Sequence, residues 1–305
     1  MEFGLMRWPR GGMGLGDTKT TLGTGSSGGA NVHGSTHRPQ NGYSRARLEV
    51  PMLNASTLSQ ILSKASTPQK ARALKKHISP LRGVRGAPGA AITEAIVKGW
   101  SSGVHLDDHA DREQLKTLFS TAFEDGLVAI GLGSAATPDD PEASLALCRH
   151  WMSLTDDIQT ADALGWLMWM PALLSGAGKG PSGLLDARGA DVYTRRAAVV
   201  GLLAALPVPV EGPSAAGLRA RLDQRRVAFV DAPLDEILEE ILPPFLKDTN
   251  PQVRKGVGRV VRTWAALSPA AAEAAVQTPG GLHRVIRDDL ERGLKKGRRP
   301  ARHKR

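Results

Sequence analysis

Residues 250–264 read NPQVRKGVGRVVRTW, and the spacing of their side chains predicts one amphipathic helix. Val253, Val257, Val260, Val261 and Trp264 recur at intervals of 4, 3, 1 and 3, which gathers them on a single buried face. Lys255, Arg259 and Arg262 recur at intervals of 4 and 3 on another face. A row of cations on a packed helix can follow a phosphate backbone, the main source of affinity in nucleic-acid binding. The same row also suits an ordinary solvated helix face. A second stretch, DVYTRRAAVVGLLAAL at 191–206, repeats the combination by setting Arg195 and Arg196 against an Ala/Val/Leu-rich helix.

Outward from these two stretches the pattern stays helical. From Pro51 on, apolar residues recur at helical spacing, and β-branched or aromatic runs of period two are missing. Helices are expected at 55–66, 68–79, 90–101, 110–124, 141–153, 157–174, 191–206, 216–229, 234–246, 251–266, 269–277 and 281–296. Thr67 before Pro68, the acids around Pro141, Asp191, Pro233, Asn250 before Pro251 and Ser268 before Pro269 mark starts, and Gly126, Gly176, Pro207 and Gly280 mark stops. Consecutive helices of this length with short links point to an all-α fold, a HEAT-like α-solenoid of antiparallel helix pairs over residues 51–291. An irregular helical bundle is the alternative.

The net charge is +10, yet the last fourteen residues hold eight basic residues and no acids, and the first fifty hold six basic against three acidic. The body between them is therefore close to neutral, and its charge is segregated along the chain rather than absent, as in a protein with one electropositive surface. Residues 1–50 contain eleven glycines and little periodic hydrophobicity, so they are expected to stay disordered. Residues 292–305 form a basic tail suited to nonspecific nucleic-acid anchoring or nuclear targeting. One cysteine, Cys148, allows no internal disulfide. With no apolar run of membrane-spanning length, the expectation is an intracellular protein, cytoplasmic or nuclear, with an organellar matrix also open.

Several local patterns lead nowhere. GGMGLG at 11–16 neither follows a strand nor opens a helix, and Gly178-Lys179-Gly180 lacks the spacing of a phosphate loop. HLDDHAD at 105–111 has histidines at i and i+4, but reads as an exposed acidic helix start rather than a metal site. No metal or cofactor is expected.

Three segments, taken in order, resemble the DNA alkylation repair family, glycosylases built from HEAT-like helical repeats. DDIQTADALG at 156–165 resembles the segment carrying that family's catalytic aspartate, DVYTRRAAVV at 191–200 its Arg-Ala-Ala helix, and NPQVRKGVGRVVRTWAALSPAAAEAAV at 250–276 a later helix with its Ser-Pro turn. The resemblance implies that Asp162 is the catalytic aspartate and that Arg196 contacts the DNA backbone beside the lesion. It further implies that Arg195, Lys255, Arg259 and Arg262 position phosphates, with Gly256 and Gly258 letting a backbone approach. Duplex DNA is the implied partner of a monomer. Two family tryptophans are replaced, by Ile158 and by Arg259, which leaves room for a noncatalytic helical-repeat scaffold that binds nucleic acid or protein. Trp166, one turn beyond Asp162, is expected to pack in the core.

The implied chemistry is hydrolysis of the N-glycosidic bond of an N3- or N7-alkylated purine. Such a base is already cationic and leaves without much protonation. The carboxylate would then face the sugar, where an oxocarbenium-like centre develops. Asp162 interrupts an otherwise apolar helix and needs a donor, for which Arg196 is the candidate; the same pair would equally brace neighbouring repeats. Asp156 and Asp157 are assigned to capping that helix.

Overall fold

The computed structural model describes residues 53–76, 78, 80–206, 234–277 and 281–298. Among them are thirteen α-helices and no strand, so the fold is all-α. The helices are α1 Ala55–Ala65, α2 Pro68–Lys75, α3 Gly89–Ser101, α4 His109–Thr121, α5 Phe123–Ala136, α6 Pro141–Ser153, α7 Ile158–Leu164, α8 Met170–Leu174, α9 Val192–Gly201, α10 Leu234–Ile241, α11 Pro251–Leu267, α12 Pro269–Ala275 and α13 Arg284–Gly297. The helix expected at 216–229, the start at Pro233, the stops at Pro207 and Gly280, the segment 1–50 and the end of the basic tail lie outside the described residues.

Start signals read from the sequence mostly act as caps, and Asn54, which the sequence reading did not single out, acts as one too. Asn54, Thr67, Asp108, Asp140, Asp157, Asp191 and Asn250 each accept a backbone N–H in the first turn of the helix that follows, satisfying one of its orphan donors. Ser268 is the exception, since its hydroxyl makes no such bond to α12. HLDDHAD is only partly the exposed start expected of it. Asp108 caps α4, while Asp111 is buried and accepts the N–H of His105 at 2.9 Å.

The largest departure is α5. A stop was expected at Gly126 and no helix from there to 140, whereas α4 ends at Thr121, Ala122 is extended, and a new helix runs through Gly126 to Ala136. Almost every residue of α5 is buried, so it lacks the polar face from which an amphipathic period is read. Its glycines serve close packing. A Cβ on Gly131 would lie 2.6 Å from Ile96 Cδ1, and one on Gly133 2.9 Å from Met168 Cε. The two acids of its first turn are buried but satisfied. Glu124 accepts the backbone N–H groups of Arg85, Gly86 and Ala87 at 3.0, 2.7 and 3.2 Å, and Asp125 is held by Arg85 Nε at 2.5 Å.

Alternate helices pack in succession, α1 on α3, α3 on α5, α5 on α7, α7 on α9, α9 on α11 and α11 on α13. Between α7 and α8 the chain does not form the single helix expected over 157–174. It widens into a π turn, Gly165–Trp169, in which Met170 donates to the carbonyl of Gly165. Pro171 follows at once and has no N–H to continue the regular ladder. Gly165 touches α9 directly, since a Cβ there would lie 2.0 Å from the carbonyl oxygen of Ala197. At its other end α13 reaches Gly297, so the boundary expected at 292 falls inside a helix whose Gly293 and Leu294 are buried.

Gly165→Ala is expected to lower unfolding stability by about 1–3 kcal/mol in urea titration, because two helix backbones must separate. Gly189→Ala, where a Cβ meets nothing within 4 Å, should stay within about 0.5 kcal/mol of the parent.

Candidate functional site

Three helices of the alternate row converge on one carboxylate. Asp162 lies in the last turn of α7, and Arg196 of α9 grips it with two parallel bonds, Nε to Oδ1 at 2.7 Å and Nη2 to Oδ2 at 2.8 Å. This fork is the strong, directional form of an arginine–carboxylate pair. Nη1 of Arg196 donates to the carbonyl of Gln252 at 2.5 Å, which ties the pair to the first turn of α11. Gly256 makes room for the guanidinium stem, as a Cβ would lie 3.1 Å from Arg196 Cδ and 3.3 Å from its Nε.

Arg259, one turn further along α11, approaches the same carboxylate, with Nη1 3.8 Å from Oδ2 of Asp162. Burial presses its guanidinium below the ordinary arginine value; Asp162 opposes that shift, and Arg196 and Arg262 add to it by repulsion. The side chains of Arg196, Asp162 and Arg259 keep 9%, 21% and 28% of their surface exposed. Access thus increases from the buried arginine to the carboxylate to the second arginine.

The other expected cations divide by attachment. Arg195 is half-buried and held by Asp248 at 2.7 Å and by the carbonyl of Ala190 at 2.5 Å. Arg262 reaches Asp289 of α13 at 3.4 Å. Lys255 is exposed on α11. The fork therefore engages Arg196 inside the protein rather than presenting it to a phosphate. Gly256 and Gly258 differ from the expectation that a foreign backbone approaches them. Arg196 covers the first, and Asp289 covers the second with an oxygen 2.4 Å from the position of a Cβ.

Ile158 is the half-buried first residue of α7, and Trp166 packs against the core. Asp157 caps α7 and is bridged to Arg82 at 3.5 Å, with burial raising its carboxyl above the ordinary value despite the bonds from Thr160 and the charge of Arg82. Asp156 accepts the backbone N–H of Leu81 and so braces a loop rather than the helix end expected of it. Arg82 also stacks over Phe119 at 4.4 Å, and Phe119 stacks on Trp151 at 4.7 Å. Cys148 is a buried free thiol, and burial pushes it up to about 12, so little of it is thiolate at neutral pH. Lys179 is bridged to Asp186 at 3.3 Å. Asp289 is a contributor that sequence reasoning missed; its only signal was a carboxylate one turn before Gly293 on the last amphipathic helix.

A family model described as DNA alkylation repair enzyme matches residues 58–289. The chain belongs to that family, and its function lies with DNA repair. No curated protein and no solved structure gives a significant match. No helix among the described residues is long and apolar enough to cross a membrane.

Removing one member of the Asp162–Arg196 pair leaves the other charge partly buried and unpaired. Arg196→Met alone is expected to lower stability by about 3 kcal/mol, and the double variant Asp162→Asn/Arg196→Met by clearly less than the sum of the two single losses. Strict additivity in a urea-unfolding cycle would contradict the coupling.

Proposed function

We propose that this protein binds duplex DNA and hydrolyses the N-glycosidic bond of N3- or N7-alkylated purines, with Asp162 as the carboxylate that faces the sugar. The carrying observation is the gradient of access across the fork, in which a buried Arg196 fixes the carboxylate while Asp162 keeps an open edge. On this reading the successive packing of alternate helices is the inner layer of a HEAT-like solenoid, and α7, α9 and α11 present the site from its hollow side.

In the proposed reaction the C1′–N bond breaks and its electron pair returns to the cationic base, which leaves neutral. Water adds to C1′ and releases its proton to solvent. Asp162 orients that water and opposes the positive charge developing on the sugar, a role in which a pre-positioned anion is most effective. Arg196 is a positioning residue for Asp162. Lys255, Arg259 and Arg262 are the phosphate contacts, and Arg195, bridged to Asp248, adds to the positive potential around them.

The test is release of 7-methylguanine or 3-methyladenine from methylated duplex by the full-length protein and by Asp162→Asn, with duplex affinity measured alongside. Wild type is expected to release base, and the variant to release at least about tenfold less, the scale set by one electrostatic catalytic group, with affinity retained. Absence of release by wild type that still binds duplex would reject the glycosylase in favour of a noncatalytic DNA-binding protein. Truncation in the affinity arm belongs after Arg298, since a cut at Arg292 would remove the end of α13.

A further inference from the structure

The basic face of α11 does not end at Arg262. Helix α13 lies beside α11 and runs in the same direction: Asp289 sits over Gly258, Gly293 against the carbonyl of Arg262, and Gly297 against the carbonyls of Ala265 and Ala266. The lack of Cβ atoms at 258, 293 and 297 brings the two helices together. At this seam one carboxylate serves two cations from different helices. Asp289 is 3.4 Å from Nη1 of Arg262 and 3.4 Å from Nη1 of Arg292. The carboxylate is largely covered at 13% exposure, whereas Arg262 and Arg292 stay 48% and 67% exposed.

With the first site, these ion pairs and the i, i+3 step from Arg259 to Arg262 along α11 make a series across four helices. It runs from Arg196 to Asp162, Arg259, Arg262, Asp289 and Arg292. Four guanidinium groups face two carboxylates, so the series carries a surplus of positive charge, and exposure rises toward its α13 end. Lys296 follows Arg292 at i+4 and shares its side of α13. Arg287 stands two residues before Asp289, about 200° around the helix by the α-helical period.

We infer that the phosphate-binding surface extends beyond α11 across the Asp289 seam onto α13, where Arg292 contacts a phosphodiester of duplex DNA and Asp289 is the positioning residue that holds Arg262 and Arg292 in one row. This inference rests on the DNA-binding half of the proposed function. By charge pattern alone Arg292 opens a basic tail, residues 292–305, with eight basic residues and no acids. Held cations are suited to this work: a guanidinium fixed by a covered carboxylate has lost part of its rotamer entropy before the phosphate arrives.

The experiment uses the full-length protein and a fluorescein-labelled unmodified duplex, with affinity read by anisotropy across a salt series. Arg292→Ala is expected to weaken binding to all duplex sequences alike and to reduce the slope of log K against log salt by about 1, as one lost phosphate contact does. Arg287→Ala removes the same charge from the same helix on the other side and is expected to leave the slope unchanged. Arg292→Lys should restore the slope. Equal effects of Arg292→Ala and Arg287→Ala, with wild type binding duplex, would overturn the extension and leave the proposed function standing. Failure of wild type to bind duplex at low salt would remove both.

Discussion

The fork between Arg196 and Asp162 is the constraint on which the rest depends. A carboxylate in an apolar helix is costly unless a donor meets it, and here the donor comes from the next helix of the row. That encounter needs backbones close enough for a side chain to span them. Gly165 and Gly201 supply the closeness, since a Cβ on either would collide with the facing helix. Gly256 then leaves the volume that the guanidinium stem occupies. The π turn that begins at Gly165 belongs to the same arrangement, because it ends the α7 ladder one residue after the last turn that carries Asp162. Such turns often sit at functional sites, and this one is explained locally by a close helix contact and by Pro171.

Charge on this protein is organised by pairing rather than by accumulation. The cations of the α11 face are interleaved with carboxylates from α7 and α13, and a second cluster, where Arg85 joins Asp125 and two serines of α1, follows the same plan. The excess behind the net charge of +10 lies in the terminal segments, and the nearly neutral body still carries an electropositive row because its cations and carboxylates are segregated. Exposed ion pairs contribute little to stability, so the outer members of the row, Arg262 and Arg292, are better understood, under the proposed function, through the phosphates that Asp289 positions them to meet than through what they add to folding.

Much of this was legible in the sequence, and the exceptions have physical causes. The valine and tryptophan spacing of α11 fixes its buried face, and short polar side chains before helices fix most starts, because both depend on local geometry. Helix α5 escaped because it is buried on nearly every side and rich in glycine, so neither periodicity nor propensity speaks for it; its neighbours determine it. The joining of Asp162 to Arg196 could be anticipated from one acid in an apolar stretch and one arginine in another. Its consequence for Arg196 could not, since only the fork shows that the side chain is engaged inside. Gly256 and Gly258 read as openings for a ligand backbone because sequence records a missing Cβ and not what fills the space. Asp289 stands more than a hundred residues from Asp162, and no local pattern links them.

Arg259 bears most directly on the chemistry. It stands where the family resemblance expects an aromatic ring, and a guanidinium beside Asp162 acts against the carboxylate's service to a developing cation. Asp162 faces Arg196 and Arg259 together, so the trio carries one excess positive charge, which disfavours an oxocarbenium centre nearby. A phosphate engaged by Arg259 would cancel that excess and draw the guanidinium toward the solvent side, where it is already partly open. Under the proposed function, backbone binding and the electrostatics of bond cleavage are therefore coupled: the carboxylate acts on the sugar only when the adjacent arginine has an anion of its own. A tryptophan at this position would stack without imposing such a condition, and that difference is the chemical meaning of the replacement.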